Sequence, residues 1–231
     1  MVMLAAGDVT TRLWTTVRDT LSSLPTTILD LPVPLAAAVS EDNRFHLRAQ
    51  RLAIFTRQGT AEARLAEICG ANVRIFNAVV IPERGDGTPL LLAEFMFTGG
   101  KTRVGFVDVQ DLGLAPPVRA CLKADLKALS PRRSAKPPPA WAIEFSLGAW
   151  SYLTQHDEAD DEECVELQSS YLDCWLNAVQ RDYGQARRRR GKDLAAHFKQ
   201  VHLTHWPGKT FLERFFGVAW TQRFMCEFLY A

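Results

Sequence analysis

The sequence predicts an α+β fold, a three-layer α/β/α sandwich built on a central antiparallel sheet. Between Arg44 and Gln110 the chain holds closely spaced β-like segments at 44–56, 63–69, 73–81, 89–97 and 102–109. Their separators are turn residues: Gly70-Ala71-Asn72, Gly85-Asp86-Gly87 and Gly99-Gly100. Connections this short join antiparallel neighbours, because parallel strands need long crossovers. Helical periodicity brackets the block on both sides, and strands followed by runs of helices mark α+β. With one helix before the meander and several after it, both faces of the sheet are expected to be covered.

The elements follow in order. Val9, Leu13, Val17 and Leu21 recur at helical spacing within 8–24, and Asp8 is placed to cap that helix. Segment 25–43, rich in Pro, Ala and Thr, reads as irregular. After the strands, 115–129 reads as a helix, 130–140 as a stiff proline-rich linker, and 142–148 as a further strand. In 160–181 Val165, Tyr171, Leu172, Trp175, Leu176 and Val179 share one helical face. The acidic run from Asp157 to Glu163 lies at its N-terminus, where the helix dipole favours negative charge. A basic helix is expected at about 183–203, then apolar helices around Gly217.

The totals narrow the class. A length of 231 residues admits one large domain or two small ones, and nearly half the residues are apolar, enough for a sizeable core. No apolar run is long enough to span a bilayer. The N-terminus lacks the basic start of a signal peptide. A formal net charge of +1 gives no general reason to expect nucleic acid. Cys69, Cys121, Cys164, Cys174 and Cys226 are odd in number and scattered. They read as reduced thiols of a cytoplasmic protein rather than a disulfide or zinc framework.

The chemistry is expected at two polar residues inside apolar strands. Asn77 opens Asn77-Ala78-Val79-Val80-Ile81-Pro82, and Glu94 lies in Leu90-Leu91-Leu92-Ala93-Glu94-Phe95-Met96. An amide and a carboxylate among such neighbours are costly unless something bonds to them. They form either a satisfied core network or the floor of a site. From spacing alone Glu94 is equally an outward position on an edge strand, and Asn77 a cap on a bulge or turn.

Three blocks of residues carry a resemblance. In the first, Asn77 stands five residues before Pro82, Glu94 five after Pro89, and Asp108 follows. The second is Pro138-Pro139-Ala140-Trp141-Ala142-Ile143-Glu144-Phe145-Ser146. The third is Lys209-Thr210 followed by Phe216-Gly217-Val218-Ala219-Trp220-Thr221-Gln222-Arg223-Phe224-Met225. In this order and spacing, from about Ala63 to Tyr230, the chain resembles the ferredoxin-dependent bilin reductases. The resemblance implies a single domain over 1–231, an α/β/α sandwich, and a linear tetrapyrrole such as biliverdin between the sheet and the C-terminal helices. It implies an oxidoreductase of phytobilin biosynthesis working by a radical mechanism, with electrons from ferredoxin and no bound flavin or metal. A cytoplasmic monomer with no membrane or nucleic-acid partner is expected.

By the same resemblance Glu94 matches the family's central acidic residue, usually Asp. Desolvation would raise its pKa towards neutrality and make it a proton donor. Asn77 matches a His/Asn position, and as an amide it orients substrate or water rather than giving a proton. Arg103, Lys136 and Lys209, with Thr210 beside the last, fall near family positions that hold the propionates. For each cation an ordinary surface charge is the alternative.

The chain also departs from the family. Pro207-Gly208 stands where an acid usually precedes the Lys. A second family acid aligns with Leu65, with Glu67 the nearest alternative. One acid in place of two favours a two-electron reduction, an atypical product, or bilin binding without turnover. Reduction of another linear tetrapyrrole, such as a chlorophyll catabolite, is a further alternative. His202-Leu203-Thr204-His205 is read as a helix C-terminus in preference to a metal half-site. The run Arg187-Arg188-Arg189-Arg190-Gly191-Lys192 is either a solvated face or part of a ferredoxin-docking patch.

Overall fold

A computed structural model describes residues 8–83, 88–129, 131–157, 159–181 and 194–231. The expected turn at Gly85-Asp86-Gly87, the basic run and the first part of the basic helix lie outside the described residues. The sheet has eight strands: β1 (Thr26–Leu29), β2 (Ala37–Val39), β3 (Phe45–Thr56), β4 (Gly59–Gly70), β5 (Val73–Pro82), β6 (Leu90–Thr98), β7 (Lys101–Gln110) and β8 (Ser151–Thr154). They lie in the order β1-β3-β4-β5-β6-β7-β8, with β2 beside β1 along β3, and every pairing is antiparallel.

Period-two apolar patterning divides the sheet into two faces. Leu91, Ala93, Phe95 and Phe97 of β6 pack with Phe76, Ala78 and Val80 of β5 against α1 (Val9–Ser22), α3 (Pro116–Ala128) and α4 (Asp161–Gln180). Leu90 and Leu92 pack with Ile75, Val79 and Ile81 against α5 (Leu194–His205), α6 (Gly208–Phe216), α7 (Val218–Arg223) and a π-helical turn over Phe224–Leu229. The three layers are those expected from the sequence.

The helix starts are set as anticipated. Asp8 accepts from the Thr10 amide and Asp160 from the Glu163 amide. Asp161, Glu162 and Glu163 occupy the first turn of α4. Side chains fix the outer layer: the Trp175 indole of α4 donates to the Pro89 carbonyl just before β6 at 2.7 Å, and Gln168 of α4 donates to the Leu13 carbonyl of α1 at 2.8 Å.

Two expectations are corrected. Segment 25–43 is not irregular: it holds β1, the single turn α2 (Val33–Ala36) and β2. These edge strands are short and largely exposed, so they lack the alternation that reveals interior strands. The strand expected at 142–148 is absent. Ala140–Ile143 form a 3₁₀ turn after Pro137-Pro138-Pro139, and β8 begins only at Ser151. Proline removes the amide that a strand start would donate. Among the described residues no helix is long and apolar enough to cross a membrane.

Candidate active site

Asn77 and Glu94 are direct partners across β5 and β6. The row continues to Phe106 on β7 and Tyr152 on β8, and Ala66 on β4 precedes it. Alternation puts Glu94 on the face of Leu90 and Leu92, which the C-terminal helices cover. β6 is interior, with β5 and β7 on its flanks, so Glu94 is not an outward position on an edge.

The Glu94 carboxylate accepts a hydrogen bond from the Trp206 indole N–H at 3.0 Å. Burial pushes its pKa up to about 7, and the indole bond offsets part of that rise. Glu94 nevertheless keeps some accessible surface. The carboxyl is thus desolvated by its surroundings yet partly exposed, covered by the Trp206 indole. Beside it Asn77 is 3 % exposed, and neither its amide oxygen nor its nitrogen has a hydrogen-bond partner among the described residues.

A second acid shares this face. Asp108 pairs across β6 with Leu92, making it the diagonal neighbour of Glu94, about 7–8 Å away for such pairs. Asp108 is fully buried, and burial pushes its pKa up to about 7 against bonds from Ser146 and Gln110. Gln110 donates to one of its oxygens at 3.1 Å, and the other has no partner among the described residues.

The opposite wall is aromatic. Phe198 and His202 lie one turn apart on α5, their rings 3.9 Å apart. His202 Nδ1 is 3.0 Å from the Phe198 carbonyl, so it must carry the proton, and Nε2 is a bare acceptor without a partner among the described residues. Burial lowers the His202 pKa to about 4 and keeps the ring neutral. Trp141 stands edge-on to His202 at 5.2 Å, and Tyr230 packs against His202 and Trp206 at 5.4 and 6.5 Å. Gly208 lies against the Trp206 ring, where a Cβ would collide with the indole. The Pro-Gly pair that departs from the family pattern thus leaves room for an aromatic ring over Glu94.

These rings close the interface between sheet and C-terminal helices. A cavity of about 780 Å³ lies elsewhere, at the end of β3–β5 beside Phe45, Arg48, Cys69 and Arg74.

The predicted cations do not converge on Glu94. Arg103 lies where the β6–β7 register shifts, outside the alternating row of Phe106 and Asp108, and donates to Gln155 at 2.6 Å. Lys136 is exposed in the segment before Trp141. Lys209 and Thr210 are exposed at the start of α6, three and four residues after Trp206, and Lys209 lies 3.8 Å from Glu213. Leu65 and Glu67 face the opposite layer, where Glu67 is buried and paired with Arg48. Neither supplies a second acid to this face.

The sequence reading used Asp108 only as an anchor, yet Val107-Asp108-Val109 carries the same signal as Glu94, a charge inside an apolar strand. His202, Trp206 and Tyr230 had no such signal, because helix packing alone turns them inward. No group of three or more metal-ligating side chains occurs among the described residues.

A family model described as ferredoxin-dependent bilin reductase matches residues 16–231. The crystal structure of selenomethionine phytochromobilin synthase from tomato in complex with biliverdin is similar in fold. Its TM-score is 0.61 at 12% identity, over 92% of this chain and 80% of that chain. No curated protein matches the chain.

Proposed function

The chain belongs to the ferredoxin-dependent bilin reductases, and on that footing we propose that it reduces biliverdin or a related bilin held between the sheet and the C-terminal helices. The observation that carries this reading is the Glu94 carboxyl, covered by the Trp206 indole at that interface, its pKa raised to about 7, beside an amide without a partner among the described residues.

Ferredoxin delivers electrons one at a time, so the bilin passes through a radical. Glu94 gives the proton of its carboxyl O–H to that species and becomes the carboxylate. Solvent then restores the proton. A second electron and a second proton complete the addition of two hydrogens across one double bond. Asp108, also poised near 7, is the candidate source of the second proton. Asn77 holds the ring nitrogens or a water in line, since its amide both donates and accepts. Lys209, Thr210, Lys136 and Arg103 are the proposed propionate partners at the rim. Lys209 is the best placed, three residues beyond the indole that caps Glu94.

Bilin binding without turnover was motivated by the missing second acid, and a second buried carboxyl on the same face favours turnover instead. The test is anaerobic mixing with biliverdin, ferredoxin, ferredoxin reductase and NADPH. The expected result is loss of the biliverdin band and a product heavier by two hydrogens per reduction. A coloured complex that stays unreduced with excess reduced ferredoxin would select the binding-only reading.

A further inference from the structure

Tyr230 combines a rigid placement with an unused hydroxyl. Its residue is 2 % exposed, and the hydroxyl has no hydrogen-bond partner among the described residues. A buried polar group left unpaired is destabilising. Phenylalanine would fill the same space without that cost.

The backbone around it is tied at three points. The Tyr230 amide donates to the Met225 carbonyl at 2.8 Å, closing the π-helical turn. Arg64, buried on β4, reaches across to both flanking residues. It donates to the Leu229 carbonyl at 3.2 Å and the Ala231 carbonyl at 3.0 Å. Glu62 balances the Arg64 charge and is itself held by Arg51. A side chain whose neighbours are fixed by a buried arginine is preorganised, and π-helical turns occur often at functional sites.

The placement puts the phenol ring on the helical side of the Glu94 site. The Trp206 ring packs against Tyr230 on one side and bonds Glu94 with its N–H. The Glu94 charge lies close enough to raise the phenol pKa beyond what burial alone does. On the sheet side Asn77, opposite Glu94, offers two more polar atoms without a partner among the described residues. Sheet and helical layers thus each present an unsatisfied group at one interface.

We propose that Tyr230 is a substrate-binding residue whose O–H donates a hydrogen bond to a lactam oxygen or imine nitrogen of the bound bilin. The phenol stays protonated throughout the working pH range, so it positions the bilin while the carboxyls move protons.

This inference rests on the bilin-binding reading of the site. Its test is Tyr230→Phe, which removes one oxygen and keeps the ring. The ligand-free variant should melt at or slightly above the wild-type temperature. Its biliverdin Kd should rise about tenfold, equivalent to about 1.4 kcal/mol, and the absorbance maximum of the bound bilin should shift. Wild-type protein that binds no biliverdin overturns both the site reading and this inference. Wild type that binds and reduces biliverdin, with Tyr230→Phe matching its Kd and spectrum, overturns this inference alone. A ligand-free variant that melts clearly below wild type also overturns it, because the hydroxyl would then already have a partner.

Discussion

Glu94 and Trp206 set the acid's working range between them. Burial raises the Glu94 pKa to about 7, and the indole N–H, which stabilises the carboxylate, restrains that rise. An acid must be protonated to give a proton, so reduction should be fastest below pH 7 and fall as pH rises through about 7. Trp206→Phe removes the restraint. Its pH–rate profile should fall at a higher pH than the wild-type profile, by about half a unit to one unit. A limb that stays in place would show that the indole does not act on the proton donor. Asn77 and Glu94 were legible in the sequence because a polar residue within a period-two apolar strand costs free energy, and that cost marks it. Asp108 carried the same mark. Tyr230 and Trp206 did not, because an aromatic ring beside an apolar helix is ordinary core until its neighbours are known.

At the scale of elements, β5, β6 and β7 form a floor whose alternation assigns every side chain to one layer. The C-terminal π-helical turn forms the roof, and Arg64 is the tie between them. Arg64→Leu leaves the Leu229 and Ala231 carbonyls unpaired. Glu62 still has Arg51, so no buried carboxylate is stranded. The expected loss is about 2–4 kcal/mol in chemical denaturation, and biliverdin binding should weaken as Tyr230 loses its anchor. A change below about 0.5 kcal/mol would mean the roof is held elsewhere. The interior strands could be read within a few residues because both of their faces are patterned. β1 and β2 could not, since they are short, exposed and separated by Pro32 and Pro34. The strand expected at 142–148 failed for a related reason: the apolar tract after Pro137-Pro138-Pro139 turns over α5 and packs Phe145 against Phe198.

For the molecule as a whole, two helical layers do different work on one sheet. The α1, α3 and α4 layer packs an almost wholly apolar core, with Glu67 neutralised there by Arg48. The α5–α7 layer brings a neutral imidazole and a buried phenol over a sheet face that carries two carboxyls and an amide without a hydrogen-bond partner among the described residues. The layered architecture was readable from strands followed by helices. Which face carries the chemistry was not, because that depends on which helices pack on each side. Burial of this face beneath the C-terminal helices raises the pKa of both carboxyls to about 7, which leaves a protonated fraction of each at neutral pH. The most direct measurement is single-turnover reduction of biliverdin bound to Glu94→Gln, without oxygen and with excess reduced ferredoxin. Gln keeps the shape and gives up the acidic proton, so the variant should bind biliverdin within about threefold of wild type yet reduce it at least about 100-fold more slowly. Reduction at the wild-type rate would contradict the assignment of Glu94 as the proton donor.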